Sequence, residues 1–261
     1  MDDAVRRFAR RPPSPDLAPW IVCYWSLRVA DAPRFSSRVL PDGSNDVLVD
    51  LTGKTPPFVV GAMPQAEVVT LQGRVDLLGV RFRPGGAMPF LHQPLDELTG
   101  REVELSVLWG RTADSLADAL AAEPPAGRIE RLERALRAAL QRRWEESLVT
   151  RAVECYHRAH GALSVRAVAS AIGTGERRLE RAFARCVGLS PKRLARVLRF
   201  LHTVRHLGRT RWAGVPLALE AGYADQSHFI REFKALAGVT PTRFVAERRT
   251  GIVQDESPAH M

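Results

Sequence analysis

Two stretches in the second half of this chain repeat the same residue pattern, residues 168–194 (VASAIGTGERRLERAFARCVGLSPKRL) and residues 217–244. Eight pairs of identical or similar residues lie 50 positions apart: Leu179/Phe229, Arg181/Arg231, Phe183/Phe233, Gly188/Gly238, Leu189/Val239, Ser190/Thr240, Pro191/Pro241 and Arg193/Arg243. Before them, Ala169, Ile172 and Gly173 match Ala218, Ala221 and Gly222 at an offset of 49, so the second copy has a longer turn. Matches at so many fixed offsets indicate one structural unit used twice.

The second copy predicts a short helix, a tight turn and a second helix. Pro216 suits a helix start, because its missing N–H costs nothing there. Leu217, Ala218 and Ala221 give that helix an apolar side, and Gly222 permits a sharp turn. Asp225 can cap the next helix by accepting from N–H groups in its first turn.

The helix after Asp225 has two faces. A core stripe at i, i+4 and i+7 consists of Phe229, Phe233 and Leu236. The polar residues Ser227, Arg231 and Lys234 point away from it, with His228 on the flank. This arrangement is a helix-turn-helix, whose polar face suits a DNA major groove. An ordinary helical hairpin with a solvated face explains one copy equally well, and the repetition favours the helix-turn-helix.

The first copy carries a more basic outer face. Opposite Leu179 and Phe183 lie Arg177, Arg181 and Arg185, with Arg178 on the flank. Arginine suits paired contacts with guanine and contacts with phosphate. At its end, Gly188 suits a left-handed C′ position, and Ser190-Pro191 predicts the cap and first residue of the next helix. Lys192 and Arg193 open that helix, and we expect them to contact phosphate.

One long helix is predicted between the copies, over residues 191–207. Its broad apolar stripe comprises Leu194, Val197, Leu198, Leu201, Val204 and Leu207. About 16 residues of helix span roughly 24 Å. Such a helix can hold two outer helices near one DNA turn apart, about 34 Å.

Net charge divides the chain in the same place. Residues 1–150 carry 19 Lys and Arg against 20 Asp and Glu, and residues 151–261 carry 19 against 9. The excess of +10 therefore lies in the half with the repeat. This asymmetry is typical of a polyanion-binding module joined to a neutral one.

The first half predicts a β-rich domain. Short strands are expected over residues 20–29, 38–52 (strand, turn, strand), 57–63, 66–73 and 76–84, with turn signals at intervals typical of a sandwich or barrel. Residues 1–19, basic and proline-rich, predict a partly ordered arm. From about Ser106 the pattern becomes helical. Heptad a/d spacing of Ile129, Leu132, Leu136 and Ala139 leaves two alternatives, a dimerisation helix over residues 128–143 or a helix packed on its own sheet.

The C-terminal part, about residues 148–249, resembles the AraC/XylS family of bacterial transcription regulators. The resemblance rests on GYADQSHFIREFKALAGVTPTRF in the second copy and on LERAF and GLSPKRL in the first. It implies base contacts from two reading helices, by Arg177, Arg178, Glu180 and Arg181 in the first and by Ser227, His228 and Arg231 in the second. Glu180 departs from the neutral or basic residues expected there. It either accepts from a cytosine amine or pairs with a neighbouring arginine.

The N-terminal part is less specifically similar to the cupin-like sensor domains of such regulators. RVLPDGSNDVLVDL, VVGAMPQ and GVRFRPGGAMPFL resemble an uncharacterised subgroup of these domains. In the wider family this domain binds an effector or dimerises the protein. The resemblance carries over no ligand, so the effector-binding residues are unknown.

Other chemistry finds little support in the sequence. The N-terminal half has a single histidine, His92, too few for a cupin metal centre, and no catalytic or phosphate-binding motif stands out. We expect no cofactor and no enzyme activity. Three dispersed cysteines, the lack of a long apolar run and the lack of a secretion signal indicate a cytoplasmic protein without a membrane partner.

The sequence thus predicts an α+β protein. A β-rich, cupin-like barrel with flanking helices spans residues 1–145, and an all-α domain of two helix-turn-helix units joined by a long helix spans 147–249. Residues 250–261 are expected to be a disordered tail. The predicted function is sequence-specific binding of double-stranded DNA that recruits or blocks RNA polymerase, as an activator or a repressor, with a small-molecule effector and a homodimer as further partners. The alternative is an architectural DNA-binding protein without ligand control.

Overall fold

The N-terminal part folds as a six-stranded antiparallel sheet. The computed structural model describes residues 7–141, 146–207 and 223–249 of the 261. The strands are β1 (Arg7–Arg11), β2 (Ile21–Val39), β3 (Asp46–Asp50), β4 (Phe58–Val60), β5 (Glu67–Phe82) and β6 (Glu102–Glu104), in the order β1-β2-β5-β3-β4-β6. Burial alternates along the strands of this sheet: in β3 the β-branched side chains of Val47 and Val49 are buried and their neighbours are half-exposed.

The sheet differs from the sequence prediction at several places, and β2 joins the predicted strand 20–29 to residues 38–39 as one strand. The stretches 66–73 and 76–84 are one strand, β5, because Gly73 adopts a φ of 70° within a strand that continues to pair with β2. Residues 7–11 of the predicted arm form the edge strand β1, paired with β2 from Arg7↔Arg28 to Arg11↔Tyr24. The short strand β6 was not predicted.

Helices flank the sheet. They are α1 (Met88–Leu91), a 3-10 helix (Leu95–Glu97), α2 (Leu105–Trp109), α3 (Arg111–Ala122) and α4 (Arg128–Ala139). The heptad residues Leu132 and Leu136 of α4 are buried in the chain's own core. The polar side of α4 is also engaged, since Glu133 accepts hydrogen bonds from the backbone N–H and hydroxyl of Ser14. This packing agrees with the alternative of a helix packed on its own sheet, and a dimer through residues 128–143 stays a prediction.

The C-terminal part is all-helical where the structure describes it. Its helices are α5 (Glu146–Arg158), α6 (Val165–Ala171), α7 (Glu176–Val187), α8 (Pro191–His206), α9 (Gln226–Ala237) and α10 (Pro241–Arg249). The predicted signals at the start of α8 and at the ends of α7 and α9 are confirmed. Ser190 accepts from the Arg193 N–H ahead of Pro191, and Gly188 and Gly238 end α7 and α9 with φ of 84° and 73°.

Two apolar cores meet along α8. Leu194 and Leu198 of its first half belong to a core that runs from the sheet through α5, α6 and α7. Val197, Phe200, Leu201 and Val204 belong to a second core with α9 and α10. Because the first core contains residues from both predicted domains, and residues 142–145 lie outside the described part, the boundary near residue 145 stays a prediction.

The helices described by the structure include none with the length and apolar character needed to cross a membrane. The predicted tail, residues 250–261, lies outside the described residues. The α+β class predicted from the sequence is confirmed.

Candidate nucleic-acid interface

The helix α7 presents the arginine-rich face predicted for the first repeat. Ser164 caps α6 by accepting from the Ala167 N–H, and Gly173, with φ of 71°, makes the turn towards α7. Leu179 and Phe183 are fully buried and anchor α7 to the core. The predicted contact residues of α7 are all exposed on the remaining surface: Arg177, Arg178, Glu180, Arg181 and Arg185.

Residues next to this face hold α7 in place and extend its positive surface. Arg166 of α6 pairs with Glu176 in the first turn of α7, Nε to Oε1 3.2 Å. Past the end of α7, Lys192 and Arg193 are exposed in the first turn of α8. At the start of a helix, unpaired backbone N–H groups and cationic side chains can bind the same phosphate. The predicted phosphate contacts thus lie on the surface, as that role requires.

The helix α9 presents the more polar face predicted for the second repeat. Asp225 caps it, accepting from the His228 N–H at 2.7 Å. Phe229 and Phe233 are fully buried, while Ser227, Arg231 and Lys234 are exposed. The preceding helix of this unit, predicted from Pro216, Leu217, Ala218, Ala221 and Gly222, lies outside the described residues.

His228 makes contacts within the protein in addition to its predicted contact with a DNA base. Its Nδ1 accepts from the Ala224 N–H at 3.3 Å, and its ring packs edge-on against Tyr223 at 5.6 Å. An acceptor at Nδ1 requires the proton of the neutral ring to be on Nε2. The half-exposed ring can therefore offer one N–H donor, at Nε2.

The helix α8 fixes the second unit through contacts that the sequence did not reveal. Its Arg196 pairs with Glu232 of α9 at 2.8 Å, and the Arg199 guanidinium lies over the Tyr223 ring at 5.7 Å. Phe200, left out of the predicted stripe, is fully buried and packs edge-on against Phe233 at 5.1 Å. Phe200 therefore makes the apolar face that α8 turns to the second core wider than the predicted stripe.

Groups able to bind a metal ion through three or more His, Cys, Asp or Glu side chains are not found among the described residues. Cys23 and Cys186 are buried and Cys155 is half-buried, and each of the three carries a thiol rather than a disulfide. Burial raises the pKa of the Cys23 thiol above its ordinary value. Such a thiol is a small hydrophobe rather than a ligand.

Comparisons with known families agree with this geometry. Residues 168–247 match the family described as "Helix-turn-helix domain", which is of the AraC type, and residues 9–104 match "Domain of unknown function (DUF6597)". No curated protein matches the chain.

Several solved structures are similar to the chain. The C-terminal domain of AraT, a response regulator from Geobacillus stearothermophilus, is 24% identical, with 43% of this chain and 93% of that chain covered and a TM-score of 0.37. Unsaturated fatty acid bound wild-type ToxT from Vibrio cholerae is 12% identical, with 94% and 97% covered and a TM-score of 0.41.

The family match spans both repeats, and the exposed polar faces of α7 and α9 agree with it. The chain is a DNA-binding transcription regulator with an AraC/XylS-type helix-turn-helix domain.

Proposed function

We propose that the protein reads two successive major-groove segments of double-stranded DNA, one with α7 and one with α9. The single observation that carries this proposal is the shared helix α8. Its 16 residues, about 24 Å of helix, pack against both units through opposite ends. One rigid helix with a reading helix near each end suits sites about one DNA turn apart.

The proposed contacts divide by chemistry. Base edges are read by Arg177, Arg178, Glu180 and Arg181 of α7 and by Ser227, His228 and Arg231 of α9. Phosphates are bound by Arg185, Lys192, Arg193 and Lys234. In this arrangement α7 supplies more of the salt-dependent affinity, and α9 supplies more of the discrimination between bases.

The experiment that tests this proposal is selection of bound genomic fragments by the full chain, followed by footprinting of the best sites. We expect protection of two groove segments about one helical turn apart. Protection of a single segment, or binding with equal affinity to random sequence, contradicts the two-segment reading.

We further propose that an effector acts in a groove between the N-terminal sheet and α5. The groove encloses about 1270 Å³, and its walls include Trp20, Arg83 and Gly85 on one side and Thr150, His157 and Arg158 on the other. Burial, with nearby Arg83 and Arg205, lowers the pKa of His157, so its ring is neutral at pH 7. An apolar wall with arginine groups at its rim suits an amphipathic organic anion.

Effector control is tested by repeating the selection with and without a small-molecule extract. We expect Ala18→Trp, which fills the groove, to abolish any change in DNA binding caused by the extract. Ala9→Trp, on the exposed edge strand, is the matched control and should leave the response intact. An extract response that survives in the Ala18 variant places the effector elsewhere.

The DNA-bound protein is proposed to recruit or block RNA polymerase, and a reporter promoter distinguishes activation from repression. The alternative is an architectural protein without ligand control. This alternative is favoured if binding bends DNA strongly and if reporter expression changes neither with the extract nor in the groove-filling variant.

A further inference from the structure

The N-terminal domain contacts both reading helices at their C-terminal ends. Gly188 and Gly238, equivalent residues of the two copies, end α7 and α9 in left-handed conformations. At the first, the Thr99 hydroxyl donates to the Gly188 carbonyl oxygen at 2.6 Å. A Cβ added to Gly188 would lie 2.7 Å from the Leu95 carbonyl oxygen, so the loop around Thr99 fits closely over the end of α7.

Arg38 makes the corresponding contact with α9. This residue near the end of β2 is buried, and its Nη1 donates to the Ala237 carbonyl oxygen at 3.0 Å. Its Nε donates to Glu247 of α10 at 2.9 Å. Beside it, the Ala66 N–H donates to the Leu236 carbonyl oxygen at 2.7 Å.

These contacts suit the ends of helices. The last carbonyl groups of a helix lack partners within the helix and carry partial negative charge, which a guanidinium or hydroxyl donor satisfies. Hydrogen bonds that involve a charged group are the stronger kind, and Arg38 makes two. The N-terminal domain therefore holds α9 firmly through Arg38 and α7 through Thr99.

The two reading helices are thus connected twice. The first connection is α8, which is covalent, and the second is the N-terminal domain, through Thr99 and Arg38. With both in place, α7 and α9 cannot change their separation or relative rotation unless one set of contacts breaks.

We propose that Thr99 and Arg38 are positioning residues, through which the N-terminal domain sets the spacing between the two DNA segments that the protein accepts. This inference rests on the proposed two-segment reading. One inserted base pair moves the second segment by about 3.4 Å and turns it by roughly 35° around the duplex. Rigidly held reading helices reject such a shift, whereas helices joined by α8 alone tolerate it better.

The test measures the affinity of the full chain for its selected site with zero, one or two base pairs inserted between the segments. We expect a sharp optimum for the unaltered protein. In Arg38→Ala and Thr99→Val, the affinity ratio between the best and the shifted spacing should fall by about threefold to tenfold. Arg28→Ala is the matched control, because it lies on the same strand and pairs with Asp76 inside the N-terminal domain.

Other outcomes separate the two proposals. If the unaltered protein shows no preference for two segments, the proposed function itself fails. If it shows a sharp optimum that both variants retain, or if both lose affinity equally at every spacing, the positioning role alone is overturned. Arg38→Lys keeps the charge but not the paired geometry, and it replaces Arg38→Ala if that variant does not fold. It should broaden the spacing profile in the same direction.

Discussion

At the scale of single residues, Arg231 is the sharpest test of base reading. Its side chain is exposed on the outer face of α9, opposite the buried Phe229 and Phe233. We expect Arg231→Ala to weaken specific binding by about 1–3 kcal/mol and to relax selectivity at one base position. Competition titrations with single-base variants of the site measure both effects. An equal loss on specific and random DNA would show that Arg231 contacts only the backbone.

Lys192 should behave differently, because a phosphate contact carries no sequence information. We expect Lys192→Ala to lower affinity by a similar factor on all sequences. It should also reduce the slope of log affinity against log salt by about one unit. Binding isotherms between 50 and 200 mM salt, roughly the range over which such slopes are resolved, measure this slope. A slope identical to that of the unaltered protein removes Lys192 from the interface.

A buried ion pair in the sheet gives a prediction about stability. Arg81 on β5 bonds to Asp46 at 2.7 Å and lies 3.3 Å from Asp42, and all three side chains are nearly inaccessible. Arg81→Met should lower the free energy of unfolding by about 3–5 kcal/mol, because it removes the cation that compensates the charge of two buried carboxylates.

The control is Arg28→Met, which removes a cation that is 41% exposed and should cost no more than about 1 kcal/mol. Urea denaturation of both variants gives the comparison. Similar losses in the two would mean that water reaches the Arg81 cluster.

The sequence predicts which side chains of α7 and α9 are buried and which lie on the outer faces. It does not predict the hydrogen-bond partners of the outer side chains within the protein. Period 3.6 places Leu179, Phe183, Phe229 and Phe233 inside, and all four are buried. The bond from the Ala224 N–H to His228 depends on the backbone conformation just ahead of α9, which no spacing rule specifies. The assignment of base contacts to individual side chains stays a prediction.

At the scale of elements, the ends of the reading helices are sensitive to glycine substitution. Gly188 and Gly173 both have a positive φ, of 84° and 71°, so an alanine at either costs about 1–2 kcal/mol in backbone strain. At Gly188 the added Cβ would also lie 2.7 Å from a backbone oxygen, whereas at Gly173 it meets nothing within 4 Å.

We therefore expect Gly188→Ala to be clearly the more destabilising of the two in thermal denaturation. Gly173→Ala serves as the matched control for strain alone. Equal losses would mean that the loop at Leu95 adapts easily, and would weaken the case for a close fit over α7.

The element boundaries that the sequence missed have physical reasons. The sequence around Gly73 predicts a turn. In the structure, the positive φ of Gly73 is accommodated inside the long β2–β5 pair by a local shift in register. The basic stretch Arg7–Arg11 lacks strong apolar alternation, because its positions alternate only between exposed and half-buried. Phe200 lies outside the predicted stripe and is buried because α8 packs against two cores and needs a second apolar face.

At the scale of the whole molecule, the contact between the sheet and the second unit should weaken in acid. Burial disfavours the ionised form of Glu247, but hydrogen bonds from Arg38 and Arg243 outweigh it and hold the pKa of this carboxyl below its ordinary value. A lowered pKa in the folded state gives stability above the unfolded pKa, about 4.3, that is lost as the pH falls through the folded value.

The measurement compares the unaltered protein with Glu247→Gln in denaturation at a series of pH values. The unaltered protein should be the more stable at pH 7, and the difference should shrink as the pH falls below the ordinary glutamate range. A difference that stays constant with pH would mean that the charge of Glu247 does not stabilise the contact.

Long-range contacts could not be predicted from the sequence. Arg38 and Ala237 are 199 residues apart, and Thr99 and Gly188 are 89 apart. The repeat predicts that two units exist and that one helix joins them, because these are local patterns. The contacts that Arg38 and Thr99 make with the two units depend on how the sheet packs against them. No spacing pattern around Arg38 or Thr99 indicates these contacts.

The unequal sizes of the cores of the two reading units have a consequence for how the protein dissociates from DNA. Leu179 and Phe183 belong to the large core shared with the sheet, while Phe229, Phe233 and Phe244 belong to the smaller second core. Local opening free energies follow the size of the packed unit. Amide hydrogens of α9 should therefore exchange with solvent faster than those of α7. If the protein reads two groove segments as proposed, a partial opening of the second unit would release one segment while α7 stays bound at the other, and the stability of that unit would set the lifetime of the complete complex.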